Sequence, residues 1–306
     1  MDQANRIEAL KSLLQERILV IDGAMGTSIQ ERGLSPDDFG GPKYDGCNEY
    51  LVITRPGVIE DIHQAFLDAG ADIIETNTFG ATAVVLAEYN LGNEARRINR
   101  EAAQLARRVA DAASTEENLR FVAGSMGPTT KTISVTGGIT FDDLAESYQQ
   151  QAVGLIEGGA DLLVLETGQD TMNIKAGLEG IDLAFDEVGQ KVPVAAQGTV
   201  EPMGALLAGQ DVEALYTSLA HRDLLWIGLN CATGPEFMTD HIRTLAGVSR
   251  FPISCAPNAG LPDPRVYWDE NNRVPAHWWA GRWPTLPEPS RFGDQVTLLS
   301  HSPGRI

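Results

Sequence analysis

The sequence predicts an α/β fold: a (βα)8 barrel of the TIM type whose last strand–helix unit is missing or replaced by an irregular tail. Apolar runs of strand length alternate with amphipathic stretches of helix length, which is typical of a parallel sheet with helical crossovers. The runs are almost entirely apolar, as expected for strands buried on both faces. Several of them end in polar side chains, and barrels of this type build their sites at the carboxyl ends of the strands.

Seven strands and six helices alternate in the predicted order. The strands are predicted at residues 18–21, 72–75, 121–124, 162–165, 192–196, 224–229 and 251–255. The helices are predicted at residues 56–69, 93–114, 141–157, 171–187, 211–221 and 235–247. Pro56 suits a helix start, Thr140 suits an N-cap, and Gly70 suits a helix C-terminus. The joint Gly-Ala-Asp occurs at 70–72 and again at 159–161, which indicates either a repeated unit or a favourable cap before a buried strand.

The strand–helix pattern ends near residue 262, which predicts two regions. Residues 1–262 form the barrel domain, and its size fits the typical barrel of about 250 residues. Residues 263–306 form a divergent tail rich in Pro and Trp, and such sequence resists regular structure. Only residues 295–300 resemble a strand there. We expect the tail either to cover the open barrel edges with a substitute strand at 296–300, or to reflect a truncation or frame change.

Composition excludes several classes of function. The formal net charge of −19 opposes binding to nucleic acid. No apolar run reaches the roughly 18 residues of a membrane span, and the N-terminus lacks a signal-peptide pattern, so a cytoplasmic location is expected. The three cysteines are few and odd in number, which argues against a disulfide framework.

Three carboxylates occupy strand ends. Asp22, Glu75 and Glu166 each follow or end an apolar run, and a charged group there needs a partner. That partner is either an ammonium group of a ligand or a neighbouring Arg or Lys. Beyond Asp22, the glycines of Asp22-Gly-Ala-Met-Gly-Thr27 form either a tight structural turn or a set of backbone amides suited to an anion such as a carboxylate.

Cys231 is the most informative cysteine, because it follows Asn230 at the end of the sixth predicted strand. It is interpreted either as a buried apolar side chain or as a metal-bound thiolate, although a catalytic zinc site needs about three protein ligands. Cys255 is a second candidate for which a core position is favoured. His63 is interpreted as a helix residue, while His277 and His301 fall in the tail.

Eight ordered motifs between residue 15 and about residue 263 resemble the homocysteine S-methyltransferase family, and in particular its homocysteine-binding module in cobalamin-dependent enzymes. The motifs are Asp22-Gly-Ala-Met-Gly-Thr27, Gly46-Cys-Asn-Glu49, Thr54-Arg-Pro56, Gly70-Ala-Asp-Ile-Ile-Glu-Thr-Asn-Thr-Phe79, Gly124-Ser-Met-Gly-Pro128, Glu166-Thr167, Gly228-Leu-Asn-Cys231 and Pro257-Asn-Ala-Gly260.

The resemblance implies a barrel in which zinc activates the homocysteine thiolate, which then accepts a methyl group to give methionine. It makes Cys231 a zinc ligand and the catalytic cysteine, whereas the adjacent cysteine pair of the family's Gly-Gly-Cys-Cys motif is absent from this chain. The methyl donor implied is methylcobalamin on a separate module, or another donor, and the partner implied is a cobalamin or folate module acting in trans. The alternatives are a zinc-free amino-acid-binding barrel and an inactive fragment.

The resemblance also implies where the substrate lies. Asp22 and Glu166 hold the amino group of homocysteine, and the amides of Gly23 and Ala24 hold its carboxylate. Asn230 and Asn258 line the same pocket.

Overall fold

The computed structural model describes residues 1–258 and the backbone of residues 297–300, where eight strands form one closed sheet. The strands are β1 Leu19–Ile21, β2 Ile73–Glu75, β3 Phe121–Met126, β4 Leu162–Gly168, β5 Val194–Gly198, β6 Ile227–Asn230, β7 Ile253–Ala256 and β8 Thr297–Ser300. Neighbours in the barrel follow chain order, and β1 to β7 are parallel. The carboxyl ends of these seven strands therefore meet at one face, which we call the top of the barrel.

The eighth strand runs in the opposite direction to the other seven. β8 pairs antiparallel with β1, where Ile21 is opposite Thr297, and antiparallel with β7, where Ile253 is opposite Ser300. Thus β8 begins at the top of the barrel and ends at the bottom. The prediction of a barrel is confirmed, and of the alternatives for the tail, β8 is the substitute strand that pairs with both β1 and β7.

Helices surround the sheet. Within the described residues they are α1 Gln3–Glu16, α2 Met25–Gln30, α3 Leu51–Thr54, α4 Pro56–Asp68, α5 Ala83–Leu86, α6 Ala95–Ala113, α7 Phe141–Glu157, α8 Thr171–Val188, α9 Val212–Leu219 and α10 Pro235–Val248. The predicted helix signals hold: Pro56 is the first residue of α4, and the Thr140 side chain accepts a hydrogen bond from the Asp143 amide at the start of α7. None of the described helices is long and apolar enough to cross a membrane.

Two apolar cores lie on either side of the sheet. The outer core packs the helices against the strands. The inner core fills the barrel and includes Phe121 of β3, Trp226 before β6, and Leu10 and Leu14 of α1. Because α1 contributes to the inner core and ends just before β1, it covers the bottom of the barrel. The top is left for polar chemistry.

The repeated Gly-Ala-Asp joints have the same structure. Gly70 and Gly159 both have left-handed backbone angles, with φ of 106° and 94°, a conformation that glycine adopts without strain. Asp72 then accepts a hydrogen bond from the Val20 amide, and Asp161 accepts one from the Val122 amide. Each aspartate thus ties its strand to the preceding one at the bottom of the barrel.

Strand bounds differ most from prediction in the second half of the chain. The sequence predicts strands at 192–196 and 224–229, whereas β5 is Val194–Gly198 and β6 is Ile227–Asn230. Both strands begin later than predicted, although Leu225 and Trp226 before β6 already form backbone hydrogen bonds with β5. The boundary at residue 262 stays a prediction, and His277, His301 and the tail tryptophans lie outside the described residues.

Candidate functional site

Three buried carboxylates meet at the top of the barrel. Asp22 directly follows β1, Glu75 ends β2, and Glu166 lies near the end of β4. The Asp22 Oδ1 atom accepts a hydrogen bond from the Glu75 amide at 3.0 Å, which joins the carboxyl ends of β1 and β2. Among the described residues, no Arg, Lys or His forms an ion pair with any of the three.

Burial without a cation disfavours the charged form of this cluster. Desolvation raises the pKa of Glu166 to about 7, although the Ser125 hydrogen bond opposes the shift. Desolvation also raises the pKa of Asp22 and of Glu75 well above the usual range, and the nearby charge of Glu166 adds to both shifts. An ammonium group bound among them would reverse this effect, because an opposite charge favours the ionised carboxylate.

Both oxygens of Glu166 are held by neighbouring strands. The Ser125 hydroxyl at the end of β3 donates to Oε1 at 2.5 Å, and the Asn230 Nδ2 group at the end of β6 donates to Oε2 at 3.3 Å. Sequence reasoning included Asn230 but missed Ser125. The available signal was its position near the end of the third apolar run, within Gly124-Ser-Met-Gly-Pro128.

An irregularity in β4 directs two successive residues into the site. The register between β4 and β5 shifts between Leu165 and Gly168, and Thr167 adopts a left-handed φ of 54°. In a regular strand Glu166 and Thr167 would face opposite sides of the sheet, whereas here both side chains reach Asn230. β-Bulges commonly redirect side chains beside active sites.

Cys231 lies next to this group and is partly exposed. Its Sγ atom is 3.4 Å from Asn230 Nδ2 and 3.8 Å from Thr167 Oγ1. Cys231 and Ala232 both have left-handed backbone angles, with φ of 59° and 60°. The sharp turn after β6 therefore places the sulfur beside the carboxylate cluster.

The other two cysteines are core residues. Cys255 belongs to the outer core, contacts the Met238 sulfur at 3.7 Å, and has a pKa raised to about 12 by burial. Burial likewise raises the pKa of Cys47 to about 12. His63 is fully buried in α4, and desolvation lowers its pKa to about 4.

The described residues do not fit a zinc site with three protein ligands. Within residues 1–258, no three His, Cys, Asp or Glu side chains are grouped so that they could hold a metal ion. Cys231 is partly exposed whereas Cys47 and Cys255 are buried, and the chain has no adjacent cysteine pair. The predicted zinc ligand Cys231 is thus present, but it belongs to no metal-binding group of three such side chains within residues 1–258.

Three further predicted residues lie at the same face. Gly23 and Ala24 are partly buried between β1 and α2, and neither amide donates a hydrogen bond to a described residue. Asn258 follows β7, and its amide donates to the Thr233 carbonyl at 3.1 Å. All eight predicted site residues therefore lie at the top of the barrel, and their roles stay predictions.

Comparison with known proteins identifies the sequence family. The family model described as Homocysteine S-methyltransferase matches residues 19–285. Methionine synthase of Mycobacterium tuberculosis (strain ATCC 25618 / H37Rv) is 42% identical over 253 residues, which is 83% of this chain and 21% of that protein. Methionine synthase of Mycobacterium leprae (strain TN) matches with the same identity and coverage. The chain thus spans about a fifth of the length of these relatives.

Solved structures support the fold. The homocysteine methyltransferase MmuM from Escherichia coli, in its metallated form, superposes with a TM-score of 0.67 at 22% identity, covering 80% of this chain and 85% of that one. Its oxidised form gives a TM-score of 0.69 at 23% identity, covering 82% and 86%. At this identity the likeness speaks for the barrel alone. The match of the family model over most of the chain carries the assignment, and the protein belongs to the homocysteine S-methyltransferase family.

Proposed function

We propose that this chain binds homocysteine at the top of the barrel and presents its sulfur for methylation, giving methionine. The observation that carries the proposal is the carboxylate cluster of Asp22, Glu75 and Glu166, which is buried and has no cationic side chain paired with it in the described part of the chain. A buried anionic cluster is stabilised by a cation that the ligand brings. The ammonium group of an amino acid supplies such a cation.

The remaining groups of homocysteine fit the surrounding residues. Its carboxylate is assigned to the amides of Gly23 and Ala24, which donate to no described residue. Its side chain then extends toward Asn230, Asn258 and Cys231, where donors to sulfur are available. This placement accounts for a pocket with acidic groups at one end and amide donors at another.

The proposed reaction is a methyl transfer to sulfur. The homocysteine thiol releases its proton to solvent and the sulfur attacks the methyl carbon of the donor. The sulfur–carbon bond forms as the bond between the methyl group and the donor breaks, with the electron pair staying on the donor. We assign the donor to methylcobalamin carried by a separate cobalamin module in trans. Zinc enters no step here, because the described residues bring Cys231 alone.

Calorimetric titration with L-homocysteine tests the binding step. We expect saturable binding that weakens at least tenfold in Glu166→Gln, because a hydrogen-bonded charge in a buried site contributes about 1.5–3 kcal/mol. The exposed Glu213→Gln provides a control with the same chemical change and should bind as the wild type does. Absence of saturable binding, or equal affinity in Glu166→Gln, would refute the proposal.

A zinc-free amino-acid-binding barrel is the second candidate, and it is favoured by the absence of a three-ligand metal group among residues 1–258. Two measurements separate the candidates: methionine formed from homocysteine and added methylcobalamin, and zinc per chain in wild type and Cys231→Ser. Binding that resists a chelator, with no methionine formed, supports the binder. One zinc per chain that is lost in Cys231→Ser would mean that residues outside the described part complete a metal site.

A further inference from the structure

We propose that Thr167 is a positioning residue whose hydroxyl, together with the Asn230 amide, holds the sulfur of Cys231 in place. The inference rests on the proposed function in placing Cys231 beside the homocysteine side chain, but its test uses no homocysteine. Thr167 and Cys231 come from β4 and from the end of β6, with β5 between them. Their contact therefore joins two strand ends that are not neighbours in the barrel.

The orientation of the Asn230 amide follows from one backbone hydrogen bond. The Thr167 amide donates to Asn230 Oδ1 at 2.8 Å. Because a backbone N–H can only donate, the atom opposite it must be the amide oxygen. Asn230 Nδ2 then lies 2.7 Å from Thr167 Oγ1, 3.3 Å from Glu166 Oε2 and 3.4 Å from Cys231 Sγ. Its two N–H groups serve these three acceptors, so one N–H is shared between two of them.

The Thr167 hydroxyl is left with its proton to donate. Its oxygen accepts from Asn230 Nδ2, and the next polar atom within reach of the hydroxyl is Cys231 Sγ at 3.8 Å. A hydroxyl can accept and donate at once. Two donors, the Asn230 amide and the Thr167 hydroxyl, therefore converge on one sulfur.

The left-handed backbone conformation of Thr167 indicates that the surrounding structure holds this residue in place. A β-branched residue with positive φ is an outlier that persists only where its surroundings hold it. Four non-glycine residues in the described chain have positive φ, and Thr167, Cys231 and Ala232 are three of them. The strained backbone is thus concentrated where the two strand ends touch.

Alkylation of Cys231 by iodoacetamide in the full chain at one fixed pH tests the proposal, with modification of each cysteine followed by peptide mass spectrometry. Cys47 and Cys255 are buried, with 1% and 7% of their surface exposed, so the fast reaction reports Cys231. Thr167→Val keeps the shape and removes the hydroxyl. We expect it to slow the reaction about fivefold, the rate equivalent of one ordinary hydrogen bond. Thr167→Ser keeps the hydroxyl and should react within about twofold of wild type.

Two further variants test whether a slower reaction of Cys231 results from a general change in the structure. Thr199→Val is the matched control, because Thr199 is equally buried beyond β5 and its hydroxyl has no hydrogen-bond partner in the described chain; its Cys231 should react at the wild-type rate. Thr167→Gly relieves the left-handed strain, so it should melt no earlier than wild type while reacting slowly. A wild-type rate in Thr167→Val or Thr167→Gly, or an equally slow Thr167→Ser, would overturn the proposal.

Discussion

Glu166 combines two features that rarely occur together in one side chain. It is held at both oxygens, by Ser125 and Asn230, and it is buried beside two further carboxylates. The hydrogen bonds fix its position, while burial raises its pKa to about 7. The residue is thus oriented for a cation that the described chain does not itself provide. Because Glu166 changes its protonation state near neutral pH, both the stability of the chain and its affinity for ligand should depend on pH in that range.

The raised pKa of Glu166 predicts how the stability of the ligand-free chain changes with pH. Between its ordinary pKa of 4.5 and the folded value of about 7, the folded chain keeps a proton that the unfolded chain has lost. The stabilising contribution is therefore complete below about pH 4.5 and disappears as the pH rises through about 7. We expect the melting temperature to fall between pH 5 and pH 8, and to fall less in Glu166→Gln.

Melting curves of Glu213→Gln provide the control for this prediction. That exposed substitution removes one carboxylate without touching the cluster, so its pH profile should follow the wild type. Identical profiles for wild type and Glu166→Gln would mean that Glu166 titrates normally.

At the scale of the elements, the two Gly-Ala-Asp joints have the same local structure, but their ion pairs differ in burial. Asp161 is fully buried and pairs with Arg6 at 2.7 Å and with Arg107 at 2.6 Å. Asp72 pairs with Arg17 at 2.7 Å, where 45% of the Arg17 side chain is exposed, and more distantly with Arg120 at 3.5 Å. Solvent screens the second pair far more than the first. The joint before β4 should therefore matter more for stability than the joint before β2.

Asparagine substitutions at the two joints test this difference. Asp161→Asn removes the carboxylate paired with the buried Arg6 and one of the two paired with Arg107, and we expect a loss of about 3 kcal/mol or more in the free energy of unfolding. Asp72→Asn should cost less, about 1 kcal/mol, since its closest partner Arg17 is half-exposed. Urea denaturation measures both losses in the free energy of unfolding, provided that the m-value does not change. Equal losses at the two joints would contradict the argument from burial.

At the scale of the whole molecule, the barrel is closed by a strand of reversed direction. β8 covers the edges of β1 and β7, which would otherwise present unpaired backbone groups. Because β8 runs from top to bottom, its first residue, rather than its last, lies at the top of the barrel. The carboxyl end of β8 therefore lies at the bottom, away from the carboxyl ends of β1 to β7.

Two shortened chains test the role of β8. A chain ended after residue 296 lacks the strand, and we expect it to melt at a lower temperature and to self-associate through the β1 and β7 edges. A chain ended after residue 300 keeps the strand and should behave as the full chain does. Size-exclusion chromatography and thermal melting compare the two. A monodisperse chain ended at 296 that melts as the full chain does would show that closure adds no stability.

Much of the site was visible in the sequence, because polar residues that end apolar runs come together when the strands are parallel. Asp22, Glu75, Glu166, Asn230 and Cys231 were found in this way. Ser125 and Thr167 were missed as site residues. A serine or threonine at a strand end is too common to single out, and the bulge that turns Thr167 into the site arises from pairing with β5.

By itself, the sequence determined the barrel, its strand order and the family, since apolar periodicity and short motifs depend only on residues that are close together along the chain. The tertiary structure decided three matters: that β8 is antiparallel, that Glu166 is held from β3 and β6, and that Thr167 and Asn230 converge on Cys231. The physical reason is separation along the chain. Strand direction, buried charge and hydrogen-bond partners depend on residues that are distant in sequence and become neighbours only when the barrel closes.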